Sequence, residues 1–228
     1  MTLQFSPVET EVVAHRVTAQ SAISPTTTRY RTLYKRSLDI FLTLLSAPIV
    51  VPLVLLMVVL ITLDGGNPFY SQMRVGKNGR AFRMWKLRTM VNNADELLEG
   101  YLNKKPAARL EWDATQKLKN DPRITWIGRI LRKTSLDELP QLFNVLNGTM
   151  SLVGPRPMML SQRDDYKGTS YYNLRPGITG LWQVSDRNEC EFAGRVAFDD
   201  AYDNALSLKT DFQVLVQTVG VVLRGTGY

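Results

Sequence analysis

The chain is poor in the residues that soft metals and most nucleophile–base pairs require. Its 228 residues include one histidine, His15, and one cysteine, Cys190. An internal disulfide is excluded, and so is a zinc site of the Cys/His kind. A Ser-His-Asp or Cys-His centre would have to use His15, which lies in a polar N-terminal stretch. Any acid, base or nucleophile is therefore expected among carboxylates or lysines, and any metal is expected to be a hard, oxygen-bound ion. The sequence also lacks a Walker loop and a Gly-rich dinucleotide turn, which excludes the ordinary nucleotide-binding folds. No basic region runs straight into an apolar one at the start, so the first residues do not read as a signal peptide. The single cysteine fits a reducing, cytoplasmic setting.

What is present begins with charge. Lys and Arg number 28 against 21 Asp and Glu, a net charge of +7. Such a balance favours an anionic partner: nucleic acid, a phosphorylated small molecule or acidic lipid. The apolar fraction of 44% is enough for a core, and the length fits one domain with appendages. Residues 1–28 read as a disordered polar tail ending in Ser24-Pro25-Thr26-Thr27-Thr28.

Residues 40–63 differ in kind. They run 24 positions without a charge, between Asp39 and Asp64. As a helix the run would be about 36 Å long, enough to cross a bilayer core. A buried helix of a soluble core would normally keep a polar face over that length. Pro48 and Pro52 sit one turn apart in mid-run and predict a sharp bend. Basic residues flank both ends: Arg29, Arg31, Lys35 and Arg36 before, and Arg74, Lys77, Arg80, Arg83, Lys86 and Arg88 after. A single crossing should show asymmetry, because positive loops stay cytoplasmic. The simplest topology keeping both ends inside is a re-entrant hairpin that turns at the prolines; a true crossing is the alternative.

Further along, Lys77-Asn78-Gly79 is a turn signal between two strand-like runs and predicts a β-hairpin. Val91–Lys105 reads as a polar helix with Ala94, Leu97, Leu98 and Tyr101 on one face, and Leu131–Leu146 contains another. Arg175–Gly180 reads as a loop, and the chain reads helical from about Phe192. Ser207–Leu223 carries one broad apolar face, suited to a core or to an interfacial membrane helix.

The densest chemistry lies in Arg129–Gln141. Ser135 followed by Glu138 has the spacing of a capping box and predicts a helix from Leu136, with Asp137 and Glu138 in its first turn. Acids there could simply stabilise a helix N-terminus. Their surroundings argue for more. Arg132 and Lys133 precede them, Lys86 and Arg88 lie upstream, and Arg156 is held between Pro155 and Pro157 on a stiff backbone that keeps its guanidinium aimed. Arg175 adds a further cation before Pro176-Gly177. A carboxylate pair among Arg and Lys suits metal-assisted phosphoryl chemistry: the carboxylates hold Mg²⁺ or attack phosphorus, and the cations neutralise the transferred oxygens.

These segments resemble the bacterial sugar transferase family, the monotopic phosphoglycosyl transferases that start exopolysaccharide assembly. The resemblance runs from about Lys35 to Leu223. It is carried by Lys35-Arg36-x-x-Asp39, Gln72-x-Arg74-Val-Gly76, Lys86-Leu-Arg88-Thr-Met90 and Arg132–Gln141. Ser151–Pro157, Arg175–Gly180 and a late Asp199 continue it. It implies an α+β, mostly α fold: a re-entrant membrane helix hairpin, a cytosol-facing domain with interfacial helices, and a small β-hairpin. The implied organisation is a tail over 1–28, a basic flank and re-entrant helix over 29–65, and a cytosolic catalytic domain over 66–228.

The implied reaction moves a phosphosugar from a UDP-sugar to undecaprenyl phosphate at the cytoplasmic face of the inner membrane, releasing UMP. Asp137 falls on the covalent nucleophile, Glu138 supports it, and Mg²⁺ is required. Lys86, Arg88, Arg132, Arg156, Arg175 and Asp199 are the implied phosphate- and donor-binding residues. The family bends its membrane helix at a Ser-Pro pair; here Val51 precedes Pro52, and Pro48 is available to share the bend. Tyr202-Asp203 also departs from the usual Tyr-Val. Nucleic acid is not an expected partner, and a homodimer is compatible with the pattern. The rival reading is a non-catalytic membrane scaffold whose basic face recruits acidic partners. It accounts for the apolar run and the charge but not for Asp137, Glu138 and Arg156 in this order.

Overall fold

The computed structural model describes residues 29–115, 118–185 and 192–223. His15 and Cys190 lie outside them, as does the expected tail. The chain divides into two compact units, one formed by 29–47, 72–84 and 141–221, the other by 48–71, 85–140 and residues from 222 on. One long helix and one hairpin run through both.

That helix, α1 (Lys35–Leu63), follows a π-helical turn over Tyr30–Tyr34. The continuous helical stretch Tyr30–Leu63 is long and apolar enough to cross a membrane, and only 6% of its most apolar part is buried. A core helix would be covered, so this one is built for an apolar solvent. The helix runs without a break across Pro48 and Pro52, where a sharp bend was expected. Local hydroxyls accompany the prolines: Thr43 Oγ1 donates to Asp39 O at 2.7 Å, and Ser46 Oγ donates to Thr43 O at 2.9 Å. Back-bonding of this kind often bends helices.

Strands β1 (Phe69–Val75) and β2 (Ala81–Leu87) form the expected hairpin. Its turn places Asn78 at φ 57° and Gly79 at φ 71°, left-handed values that Asn and Gly tolerate best.

In the second unit, α2 (Ala94–Lys104) and α3 (Pro106–Thr115) form a satellite core around Leu98, Leu102 and Ala108. Helix α4 (Trp126–Thr134) is capped by Thr125, whose hydroxyl accepts from Gly128 N at 3.0 Å. Gly128 is required there, because a Cβ would lie 2.0 Å from Thr89 O. Leu131 and Leu136 join Ile61 and Leu87 in one apolar cluster.

The expected capping box is not formed. Ser135 adopts the left-handed conformation, φ 56°, and closes α4 instead of opening a helix. Leu136–Glu138 is a single 3₁₀ turn, and the helix resumes only as α5 (Gln141–Leu146) after Pro140. An αL C-cap and an N-cap use the same residue incompatibly; the need to end α4 prevails.

In the first unit, β3 (Ser151–Val153) and β4 (Gly177–Thr179) pair in parallel, so the expected Arg175–Gly180 loop contains a strand. Short helices α6 (Ser170–Asn173) and α7 (Leu181–Val184) precede α8 (Arg195–Asn204) and α9 (Leu208–Leu223). Val153, Tyr202, Leu206 and Val214 form one core cluster with Tyr30, while Phe82, Met84, Val145 and Met150 form another. Helix α9 buries Val214 but exposes Leu208, Phe212, Val216, Val219 and Val222 along one stripe.

Candidate active site

The 3₁₀ turn after α4 presents two consecutive carboxylates. Asp137 is 8% exposed and Glu138 is half-buried. From β2, Lys86 reaches both: its Nζ lies 3.3 Å from Asp137 Oδ2 and 2.7 Å from Glu138 Oε1. Burial pushes the Asp137 carboxyl above the ordinary range, Lys86 pulls it back, and Glu138 pushes it up again. The result is a carboxylate deprived of water but held against a cation.

Arg132 lies on the last turn of α4, where its charge favours the helix C-terminus. Its Nε donates to Thr89 Oγ1 at 2.9 Å. Burial lowers its pKa, while the fields of Asp137 and Asp121 act the other way. Thr89 also accepts Thr125 N at its carbonyl, 3.1 Å away, so one residue orients both ends of α4. Arg88 is turned elsewhere, donating to Asn92 Oδ1 and to Ile61 O. The structure thus brings together Lys86, Asp137, Glu138 and Arg132, with Arg88 on the same strand-to-loop segment.

The other predicted residues belong to the first unit. Arg156 is exposed and stacks over Trp182 at 5.4 Å; Arg195 stacks on the same indole at 4.4 Å. These three line one small cavity with Asp199, Tyr166 and Phe192. Tyr166 donates to Asp199 Oδ2 at 2.8 Å. Burial raises Asp199 to about 7, against the opposing pull of Tyr166 and Arg195. Arg175 donates through Nε to Gly148 O at 3.0 Å, and Arg36 binds the carbonyls of Val145 and Leu146. Arg36 thereby caps carbonyls in the last turn of α5, and Arg175 holds one in the turn that follows it.

Asp199 carries a stability signature. Its unfolded carboxyl ionises near 4, whereas its folded one stays neutral until about 7. The stability it confers is full below the unfolded value and is lost as pH rises through the folded one. Asp199→Asn should therefore flatten the fall in Tm between pH 4 and 7, read by thermal scans across that window. An unchanged pH profile would contradict the assignment.

Sequence reasoning did not single out Thr89, Trp182, Arg195 or Tyr166. Thr89 lies inside the Lys86–Met90 motif, and Trp182 stands two residues after Gly180 of the Arg175–Gly180 motif, so position was the available signal. Among the described residues no cluster of three metal-type ligands occurs. Asp137 and Glu138 nevertheless offer hard oxygen donors side by side, which fits Mg²⁺: that ion usually takes one or two carboxylates and completes its shell with water and substrate phosphate.

A family model described as bacterial sugar transferase matches residues 30–225. The exopolysaccharide production protein ExoY of Sinorhizobium fredii is 44% identical over 196 residues, covering 85% of this chain and 87% of the relative. A UDP-galactose-lipid carrier transferase of Erwinia amylovora is 48% identical, as is an undecaprenyl-phosphate galactose phosphotransferase of Salmonella typhimurium. Each match covers 85% of this chain but 41% of the relative, so the chain spans about two fifths of their length.

Proposed function

Because the chain belongs to the bacterial sugar transferase family, we propose that it transfers a phosphosugar from a UDP-sugar to undecaprenyl phosphate through a covalent Asp137 intermediate. The observation that carries this reading is the buried Asp137 carboxylate, 3.3 Å from the Lys86 ammonium, on a turn that also presents Glu138. The names of the relatives, which include a UDP-galactose carrier transferase and an undecaprenyl-phosphate phosphotransferase, support the substrate classes.

In the first half-reaction Asp137 Oδ attacks the sugar-bearing phosphorus of the donor. The bond from that phosphorus to the bridging oxygen breaks, and UMP leaves. In the second, a phosphate oxygen of the lipid attacks the same phosphorus, and the acyl phosphate bond breaks to restore Asp137. Splitting the transfer lets a soluble donor and a lipid acceptor use one site in turn. Lys86 and Arg132 neutralise oxygens on the transferred group, and Glu138 keeps Lys86 in place. Asp137 and Glu138 would hold Mg²⁺, which supplies charge neutralisation on the diphosphate. Arg156 and Asp199 are proposed to contact the donor; Arg88 and Arg175 are proposed phosphate ligands that must first leave their present partners.

The exposed apolar α1 makes this a membrane-associated protein. The proposed topology is re-entrant, with residues 29–65 as basic flank and anchor and the remaining chain on the cytoplasmic face of the inner membrane. Thr43, Ser46, Pro48 and Pro52 would make the bend. The exposed stripe of α9 suits an interfacial helix.

The reading is tested by Mg²⁺-dependent transfer of label from a UDP-sugar into the lipid fraction; no transfer would favour the scaffold. Lys86 gives a finer test. Asp137 must be ionised to attack, so donor cleavage should fall as pH drops toward its burial-raised pKa. Lys86→Met removes the main pull in the other direction, so the acid limb should move to higher pH and the plateau rate should fall about a hundredfold. An acid limb that stays in place would contradict the coupling.

A further inference from the structure

The first turns of α1 and α9 enclose a groove that the reaction does not use. Its volume is ≈ 750 Å³, and its walls include Tyr34, Leu38, Phe41 and Leu208. Tyr34 and Phe41 are each 61% exposed and Leu208 is 57% exposed. Two cations, Arg29 and Lys209, also line it, and Ser37 and Ser207 add hydroxyls. Neither cation forms an ion pair among the described residues. No carboxylate lines the groove.

Three observations point to one occupant. The apolar wall continues along α1 into Leu44 and Leu45, which are exposed on the segment built for an apolar solvent. The charged side chains of the lining are all positive. The lining holds no carboxylate to attack phosphorus or to gather a metal ion, so a phosphate here would be held and not transferred. We propose that the groove binds one acidic phospholipid, its acyl chain along Tyr34, Leu38, Phe41 and Leu208 and its headgroup phosphate between Arg29 and Lys209. This rests on the membrane-associated reading of α1, and on no detail of the Asp137 chemistry. The occupant would fix the start of α1 at headgroup depth.

Each Lys or Arg near an anionic surface strengthens association about fivefold, so the pair should favour an acidic over a zwitterionic lipid by about 25-fold. The test is native mass spectrometry of the full chain released from detergent. Phosphatidylglycerol, phosphatidylcholine and undecaprenyl phosphate are titrated separately and then in competition. Expected is a one-to-one phosphatidylglycerol adduct with the stated preference, erased in the double variant Arg29→Ala, Lys209→Ala. Lys209→Glu should erase it as well and serves if the double variant fails to fold. Leu208→Glu should remove adducts of both phospholipids.

Equal retention of the two phospholipids, or a preference that survives both charge variants, would overturn the proposal. Displacement of phosphatidylglycerol by an equimolar amount of undecaprenyl phosphate would assign the groove to the acceptor and overturn it too. A dimer that excludes lipid would assign it to a second copy. Retained vesicle binding and sugar transfer in the variants would show that a failure belongs to the groove alone.

Discussion

Asp137→Asn is expected to abolish release of UMP from the donor, lowering the rate by about 10⁴-fold or more, as loss of a covalent nucleophile does. The substitution is nearly isosteric. Asn can still accept from Lys86 Nζ, which lies 3.3 Å from Oδ2 in the native chain. Positioning and charge neutralisation by Lys86 and Arg132 therefore survive, and what is lost is the carboxylate itself, as nucleophile and as one of the two proposed Mg²⁺ donors. Burial opposes ionisation of Asp137 in the fold, so the variant should be at least as stable as the native chain. Chromatography of released nucleotide and a thermal scan of the same sample separate the two effects. Lost activity at undiminished Tm is the expected pair of results; residual release within tenfold of native would remove Asp137 from the role.

Asp211→Ala should produce the largest loss of stability. Asp211 is 1% exposed and takes three partners: Tyr30 Oη donates to Oδ2 at 2.5 Å, Tyr202 Oη donates to Oδ1 at 2.6 Å, and Lys35 Nζ lies 2.7 Å from Oδ2. Lys35 also reaches Asp39 Oδ1 at 3.6 Å, and Asp39 in turn accepts from Ser151 Oγ at 2.8 Å and Leu152 N at 3.1 Å. The first turns of α1, strand β3 and helix α9 thus share one buried network. Removing Asp211 leaves Tyr30 Oη without its acceptor and Lys35 with only the longer pair to Asp39, while Tyr202 Oη can still donate to Val153 O at 3.1 Å; breaking a buried pair in this way costs about 3–5 kcal/mol. At this chain length that corresponds to a Tm lower by about 10 °C. Salt should change the deficit little, because buried pairs are weakly screened. A Tm within 2 °C of native would mean that the network contributes little to stability.

That network shows where sequence reading runs out. Lys35 and Asp39 stand four residues apart, so their pairing along a helix is legible locally. Nothing local ties them to Asp211; the pairing exists only once the chain folds α9 back onto α1. The apolar run was legible because absence of charge over 24 positions is a property of composition. The hairpin was legible because Asn78-Gly79 tolerates positive φ. Ser135 misled for a physical reason. Its spacing to Glu138 matches a capping box, but the same residue is needed to end α4 and takes φ 56° to do so. The short strands β3 and β4 lack an alternating pattern and owe their existence to each other.

The site shows the same division. Asp137, Glu138 and Lys86 could be grouped by chemistry, and the structure brings them into contact. Thr89 as the partner of Arg132 could not be inferred, because it depends on α4 packing against the Thr89 backbone at Gly128.

The central claim is a covalent phosphosugar on one carboxylate, and peptide mass spectrometry tests it most directly. The full chain is mixed with Mg²⁺ and a UDP-sugar, without lipid acceptor, quenched in acid and digested. The account predicts a mass increase of one phosphosugar on the peptide holding Asp137, lost when undecaprenyl phosphate is added before the quench. UMP release with no adduct on that peptide, or an adduct on another residue, would contradict it.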